Sequence, residues 1–230
     1  MTVVSHANPP RRATPRWPGL VLIGLTVILL VAFPPFRVVS LKTGAAPGHP
    51  GGAPATSTAF NAAEFAGQFW TGQLQPAAAG AMELQPILAG LRQDAAAAAR
   101  AHGRQVGLGG PVYFFARASG RVVAVERGRV LVAVDGVEGA TVALRTGPVF
   151  GNTVRDGCGL LEVNRVPGLQ EFNAISAELN RLVEERVQPA LKSGLVVGTR
   201  LTFAGCAEAP ERVGNGPWLN FIPVQVEVKP

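Results

Sequence analysis

PVYFFARASGRVVAVERGRVLVAVDGVEGATVALRTG, residues 111–147, decides the fold. Four stretches within it are rich in Val and Phe: PVYFFARA (111–118), GRVVAVE (120–126), RVLVAVD (129–135) and ATVALRT (140–146). Such residues suit a pleated, half-buried surface. Glycine-containing turns separate the stretches, and Arg127-Gly128 and Asp135-Gly136 are turn dipeptides at the close spacing of antiparallel neighbours. The stretch predicts a β-meander.

Working outward toward the C-terminus, CGLLEVN (158–164) is a further extended candidate. Pro167-Gly168 then introduces an amphipathic helix from about Leu169 to Lys192. Phe172, Ile175, Leu179, Leu182, Val183, Val187 and Leu191 form its apolar stripe, and Glu171, Glu178, Arg181, Glu184, Glu185 and Arg186 occupy the other faces. TRLTFAG (199–205) and FIPVQVEV (221–228) read as two last strands. A meander, one helix and two closing strands is the chain order of a five-stranded, partly open OB-type barrel, with other partly open one-helix barrels as the alternative. The expected class is mainly β with α (α+β).

Two helices precede the meander. Asn61 with Glu64 reads as a capping box, and Phe65, Phe69 and Trp70 share one face of the helix that it starts. Pro76 is expected to end that element. A second helix is expected from about Met82 to Ala101, with Leu84, Ile87, Leu88, Leu91 and Ala95 at helical spacing and Gly103 as its stop. The Gly107-Leu108-Gly109-Gly110 run precedes a strand and opens no helix, so it reads as a turn rather than a dinucleotide loop.

Charge divides the 230-residue chain. Residues 1–58 carry Arg11, Arg12, Arg16, Arg37 and Lys42 and no acid; the remainder holds 16 basic residues against 15 acidic ones. The high isoelectric point thus belongs to the N-terminal segment. A nucleic-acid footprint should cluster on the domain itself, and no nucleic-acid partner is expected.

Between Arg16 and Arg37 lie 20 uncharged residues, WPGLVLIGLTVILLVAFPPF (17–36). At about 1.5 Å per residue they just reach across a hydrocarbon core of about 30 Å. Residues 1–16 form a basic arm, which favours a cytoplasmic N-terminus. Pro34-Pro35-Phe36-Arg37 follows where a cleavable signal would place small residues. A single-pass signal anchor in the inner membrane is therefore expected, with secretion to the periplasm after cleavage as the alternative. Residues 37–58, RVVSLKTGAAPGHPGGAPATST, read as a Gly/Pro/Ala-rich linker. Residues 59–230 read as the periplasmic domain.

Little catalytic chemistry is on offer. His6, His49 and His102 fall in the arm, the linker and a helix end, so no nucleophile–base set or histidine metal site can be assembled from the sequence. Asp156 with Glu162 is a weak carboxylate pair. No catalytic residue, metal or cofactor is expected. Cys158 and Cys206 are the two cysteines. Outside the cytoplasm they can bridge, which would close a loop of roughly fifty residues and stabilise by about 4 kcal/mol. Two separate buried thiols are the alternative.

The best polar candidates lie in GPVFGNTVRDG (147–157). Arg155 offers a planar donor fork to a carboxylate, phosphate or sugar hydroxyl, Asp156 positions it, and Asn152 stands nearby. The competing reading makes Arg155-Asp156 an internal ion pair on the barrel rim, with Asn152 and Gly157 in special backbone conformations.

Three stretches carry a family resemblance: AAEFAGQFWTGQLQPAA (62–78), GPVFGNTVRDG (147–157) and LQEFNAISAELN (169–180). Across roughly residues 60–230 the chain resembles the bacterial family of predicted periplasmic lipoproteins, domain of unknown function 2291. Members are typically encoded beside sugar ABC-transporter genes. The resemblance implies an accessory or binding role in carbohydrate uptake, with transporter components or a small carbohydrate-like ligand as partners, and no established activity. The chain departs from the family in lacking a lipid-attachment Cys, and in Leu169 where the family tends to have Asn. A docking subunit of a membrane complex and a hydrolase of sugar-derived solutes are the other two functions considered.

Overall fold

The computed structural model describes residues 60–229, and these form one compact unit. The basic arm, the apolar run 17–36 and the linker 37–58 lie outside the described residues. Among the described residues no helix is long and apolar enough to cross a membrane.

Helix α1 (Ala62–Phe69) starts as the cap pattern requires: Asn61 Oδ1 accepts from the Glu64 amide at 3.1 Å. The reciprocal half of the box is absent, since Glu64 instead accepts from Gln68. Pro76 does not end the element. A π-turn, Trp70–Leu74, leads into α2 (Gln75–Ala79), and the Gln75 amide reaches back five residues to the Trp70 carbonyl. This wider turn accommodates a proline that can neither donate nor tolerate the carbonyl four residues before it.

The expected helix 82–101 is also interrupted. Strand β1 (Met82–Glu83) precedes α3 (Leu84–Gln93) and α4 (Ala95–His102). Asp94 breaks the run by taking an extended backbone, and its side chain caps α4 by accepting from the Ala97 amide at 3.0 Å.

The meander becomes three strands rather than four. After β2 (Arg104–Gln105), β3 is one continuous strand of 15 residues, Val112–Glu126, followed by β4 (Arg129–Val134) and β5 (Thr141–Arg145). Ser119-Gly120, which reads as a turn, stays extended; at Gly120 a side chain would run into Val132 and the Ala133 carbonyl of β4. The glycine marks a close strand approach, not a reversal. Gly128 and Gly136 do turn the chain, with φ of 83° and 81°.

CGLLEVN forms no strand. It follows the short helix α5 (Thr153–Gly157) and runs into a 3₁₀ turn at Val163–Arg165. Helix α6 (Leu169–Arg186) is the long amphipathic helix, and α7 (Gln188–Lys192) continues it beyond a break at Val187, just ahead of Pro189. Strands β6 (Arg200–Glu208) and β7 (Asn220–Lys229) end the described chain.

The sheet has seven strands in the order β1-β3-β4-β5-β7-β6, with β2 also on β3. The expected five are joined by the two-residue pieces β1 and β2. The β3 strand serves two partners: residues 120–126 pair with β4 and residues 113–121 with β6, both antiparallel. Because β5 pairs with β7, the path of pairings returns to β3.

Two cores result. Inside the sheet, Phe114, Val122, Val132, Leu144, Phe203 and Phe221 pack with Leu84, Ile87 and Leu88 of α3. Outside it, Ala204, Cys206, Ile222 and Val224 of β6 and β7 meet Phe69, Trp70 and Leu74 and the stripe Ile175, Leu179 and Val183 of α6. The second core holds GPVFGNTVRDG in place.

Candidate functional site

GPVFGNTVRDG lies along α6 and α7, whose polar side chains fasten it. Gln188, fully buried, donates to the Gly147 carbonyl at 2.7 Å. Glu184 accepts from the Val149 amide at 2.7 Å, and Asn180 donates to the Gly151 carbonyl at 2.9 Å. Gly151, not Asn152 or Gly157, holds the left-handed conformation here, with φ 81°. That reversal lets the chain enter α5. Gly157 serves proximity instead: a Cβ there would stand 2.9 Å from Cys206 Cβ.

Arg155 and Asp156 form a buried clasp. Arg155 Nε donates to Asp156 Oδ1 at 2.7 Å and Nη2 to Oδ2 at 3.0 Å; the two side chains are 7% and 11% exposed. Arg155 Nη1 donates to the Phe172 carbonyl at 3.3 Å and to Asn173 Oδ1 at 3.0 Å. The guanidinium also lies over the Phe172 ring. A bidentate pair with further hydrogen bonds is how a buried ion pair offsets its desolvation. The clasp joins α5 to the first turn of α6, and the guanidinium fork is engaged inside the protein.

Next to the clasp is a groove. Between the 149–152 loop and α6 lies a cavity of about 410 Å³, lined by Asn152, Asn173, Ser176, Asn180, Arg181 and Glu184, with Phe150 at its edge. Phe150 is 76% exposed, an unusual position for a large aromatic ring. Ser176 is 4% exposed, and its Oγ is the one buried side-chain polar atom among the described residues without a hydrogen-bond partner. Such an atom bears the desolvation cost of a hydroxyl, about 1–3 kcal/mol, unless something in the groove meets it.

Of the three residues singled out in the sequence, Asn152 lines this groove while Arg155 and Asp156 do not. Asn173 connects groove and clasp, since it lines the groove and accepts from Arg155. Ser176 and Asn180 escape a reading of α6 that counts only its apolar stripe and its charges. Their signal is present nonetheless: Asn173, Ser176, Asn180 and Glu184 fall at i, i+3, i+7 and i+11, one polar stripe beside the apolar one.

Another groove, about 340 Å³, lies over β3, β6 and β7 and contains Glu83, Arg117, Ser119, Thr202, Gln225 and Glu227. Its Arg117 is tied to Glu83 at 2.7 Å and donates to the Ala79 carbonyl, both in exposed positions. It holds no buried unpartnered polar atom among the described residues.

The bridge considered between Cys158 and Cys206 is not formed. Both are buried free thiols: Cys158 Sγ donates to the Arg155 carbonyl at 3.3 Å, and Cys206 Sγ points to the Val154 carbonyl at 3.9 Å. Burial pushes both thiol pKa values up, Cys206 the further, so both hold their protons. Burial also raises the Tyr113 phenol, with smaller contributions from Glu208 and Asp156. Among the described residues no group of three His, Cys, Asp or Glu could hold a metal ion.

The fold is similar to that of an OB-fold protein from Thermotoga maritima known from its crystal structure. The TM-score is 0.64 at 20% identity, covering 74% of this chain and 99% of that one. At that identity the likeness concerns the fold alone. No curated protein matches the chain. The family described as predicted periplasmic lipoprotein, domain of unknown function 2291, matches residues 26–227, and the chain belongs to it.

Proposed function

We propose that this chain is a non-enzymatic binding or accessory protein of the periplasm, with its ligand site in the groove between the 149–152 loop and α6. The observation that carries the reading is Ser176, which lines the groove with a buried Oγ that has no partner, among amides, a guanidinium, a carboxylate and the side chains of Val149 and Phe150. That mixture of donors and acceptors, beside an exposed aromatic ring, suits a small carbohydrate-like solute. Hydroxyl groups can donate and accept at each position, and a sugar's apolar face can cover Phe150. Service to an ABC transporter for carbohydrates is the corresponding role.

In this proposal residues 17–36 act as a signal anchor, 37–58 as a spacer, and the sheet as a partly open OB-type barrel that gives the groove a rigid base. Thermal-shift screening of residues 57–230 against sugars, polyols and sugar acids tests the reading. A ligand that stabilises the wild type and fails to stabilise Asn180→Ala supports it. If no such solute shifts the melting temperature, the groove is not a carbohydrate site.

A further inference from the structure

Three cations stand in one row across three adjacent strands. Arg121 of β3 is in register with Arg200 of β6, and Arg200 with Lys229 of β7. Cross-strand partners project from the same face of a sheet, and all three residues are exposed. With neighbouring strands about 4.8 Å apart, the row spans roughly 10 Å. Like charges set directly opposite one another destabilise a sheet. Little nearby relieves them. Arg200 reaches Asp135 only at 4.0 Å between exposed side chains, and Arg121 donates to the neutral Gly198 carbonyl. Glu227 lies two rows further along β7, opposite Thr202.

Beside the row is an apolar tip. The turn at 196–199 is hydrogen-bonded onto β3, with the Gly198 amide donating to the Val122 carbonyl and the Val122 amide to the Thr199 carbonyl. The side chains at that turn, Val196 and Val197, are 64% and 66% exposed. Val123, at the bulge of β3, is exposed as well.

We infer that this end of the domain seats on a lipid bilayer bearing anionic headgroups. Arg121, Arg200 and Lys229 meet headgroup phosphates while Val196 and Val197 enter the interface between headgroups and acyl chains. The pairing of charge with apolar surface decides the occupant. A soluble polyanion would neutralise the cations and leave the valines in water, whereas a bilayer surface satisfies both. The inference is independent of the groove and of what binds there.

The test uses the full chain on vesicles, with an environment-sensitive dye on Val197→Cys; the native cysteines are buried. Vesicles contain either phosphatidylethanolamine with phosphatidylglycerol or phosphatidylcholine alone. The expected result is a blue-shifted dye, quenched by lipid-borne quenchers, on the anionic vesicles only. The same dye on Leu108→Cys, near the opposite end of β3, should stay in water. At about 1 kcal/mol per cation near an anionic surface, Arg121→Gln with Arg200→Gln and Lys229→Gln should lower the docked-to-undocked ratio roughly a hundredfold. A dye at position 197 that remains in water on vesicle-bound protein overturns the inference, as does an equal shift on neutral vesicles. Binding of a soluble polyphosphate through the row, without lipid contact at position 197, overturns it in favour of a soluble polyanion.

Discussion

The guanidinium carbon of Arg155 stands 3.9 Å from the centroid of the Phe172 ring, while the same guanidinium donates to the Phe172 backbone carbonyl. One residue of α6 is thus held through both its ring and its backbone by one residue of α5. With Asp156 closing the other edge of the fork, α5 and α6 are locked at their nearest ends. Arg155→Ala should therefore cost about 3–5 kcal/mol by stranding Asp156 in the interior. Arg155→Lys should recover little, because an ammonium cannot reproduce the fork. Replacing both partners by Met and Leu should be far milder than either single change. Urea titration of the four proteins measures this, and a loss below about 1 kcal/mol for Arg155→Ala would make the clasp a surface pair in all but position.

The contact of Gly157 with β6 supports a second prediction. A methyl at 157 would stand 2.9 Å from Cys206 Cβ and 3.2 Å from its Sγ, so Gly157→Ala should destabilise by about 1–3 kcal/mol through overpacking. Adding Cys206→Gly should return part of that loss, a coupling that a double-mutant cycle detects. Strict additivity would mean that the two sites do not touch.

Ser176→Ala gives opposite signs in two assays. Without ligand, removing an unpartnered buried hydroxyl should be neutral or stabilise by up to about 1 kcal/mol. With a ligand that uses Oγ, the same change should weaken affinity about tenfold, which is the worth of one hydrogen bond. Calorimetry on any solute found in the thermal screen reads the second effect. Unchanged affinity would place that solute elsewhere.

Alkaline conditions should unfold the domain progressively. Cys158 and Cys206 have raised native pKa values against an ordinary 9.0, and Tyr113 is raised against 10.0. The native state therefore keeps protons that the unfolded state has released. Stability is fully present below about pH 9 and falls as pH rises through the native values. Cys158→Ala with Cys206→Ala should flatten the onset above pH 9 and leave the part due to Tyr113. Thiol titration completes the check: no reactive thiol in the native protein and two after denaturation are expected, and none after denaturation would reveal a bridge.

Much of this architecture is legible in the chain because its signals are local. The stripe Phe172, Ile175, Leu179, Leu182 and Val183 defines α6, and Gly128 and Gly136 turn the chain where the dipeptides place them. Some misreadings are local, as where Asp94 caps α4 and so breaks the longer helix; others depend on which strands lie beside a segment. Ser119-Gly120 reads as a turn but stays extended because β4 and β6 both pair with that stretch. CGLLEVN has strand composition but no strand beside it. The groove brings Asn152 to Asn180 across 28 positions, and the basic row brings Arg121 to Lys229 across more than a hundred. A balanced net charge hides that row, because register, not composition, gathers its members.

The double duty of β3 also bears on the order of assembly. Its pairing with β4 closes a loop of a few residues, and β5 then adds locally, so the meander can form within microseconds. The other half of β3 must wait for β6, which pairs Arg121 with a residue 79 positions later. Long-range pairing of that kind bears a large entropic penalty before it is stabilised by contacts. A translocated chain would thus hold a finished hairpin with one edge of β3 unpaired until β6 arrives. In that interval the half-built strand is the surface most open to aggregation.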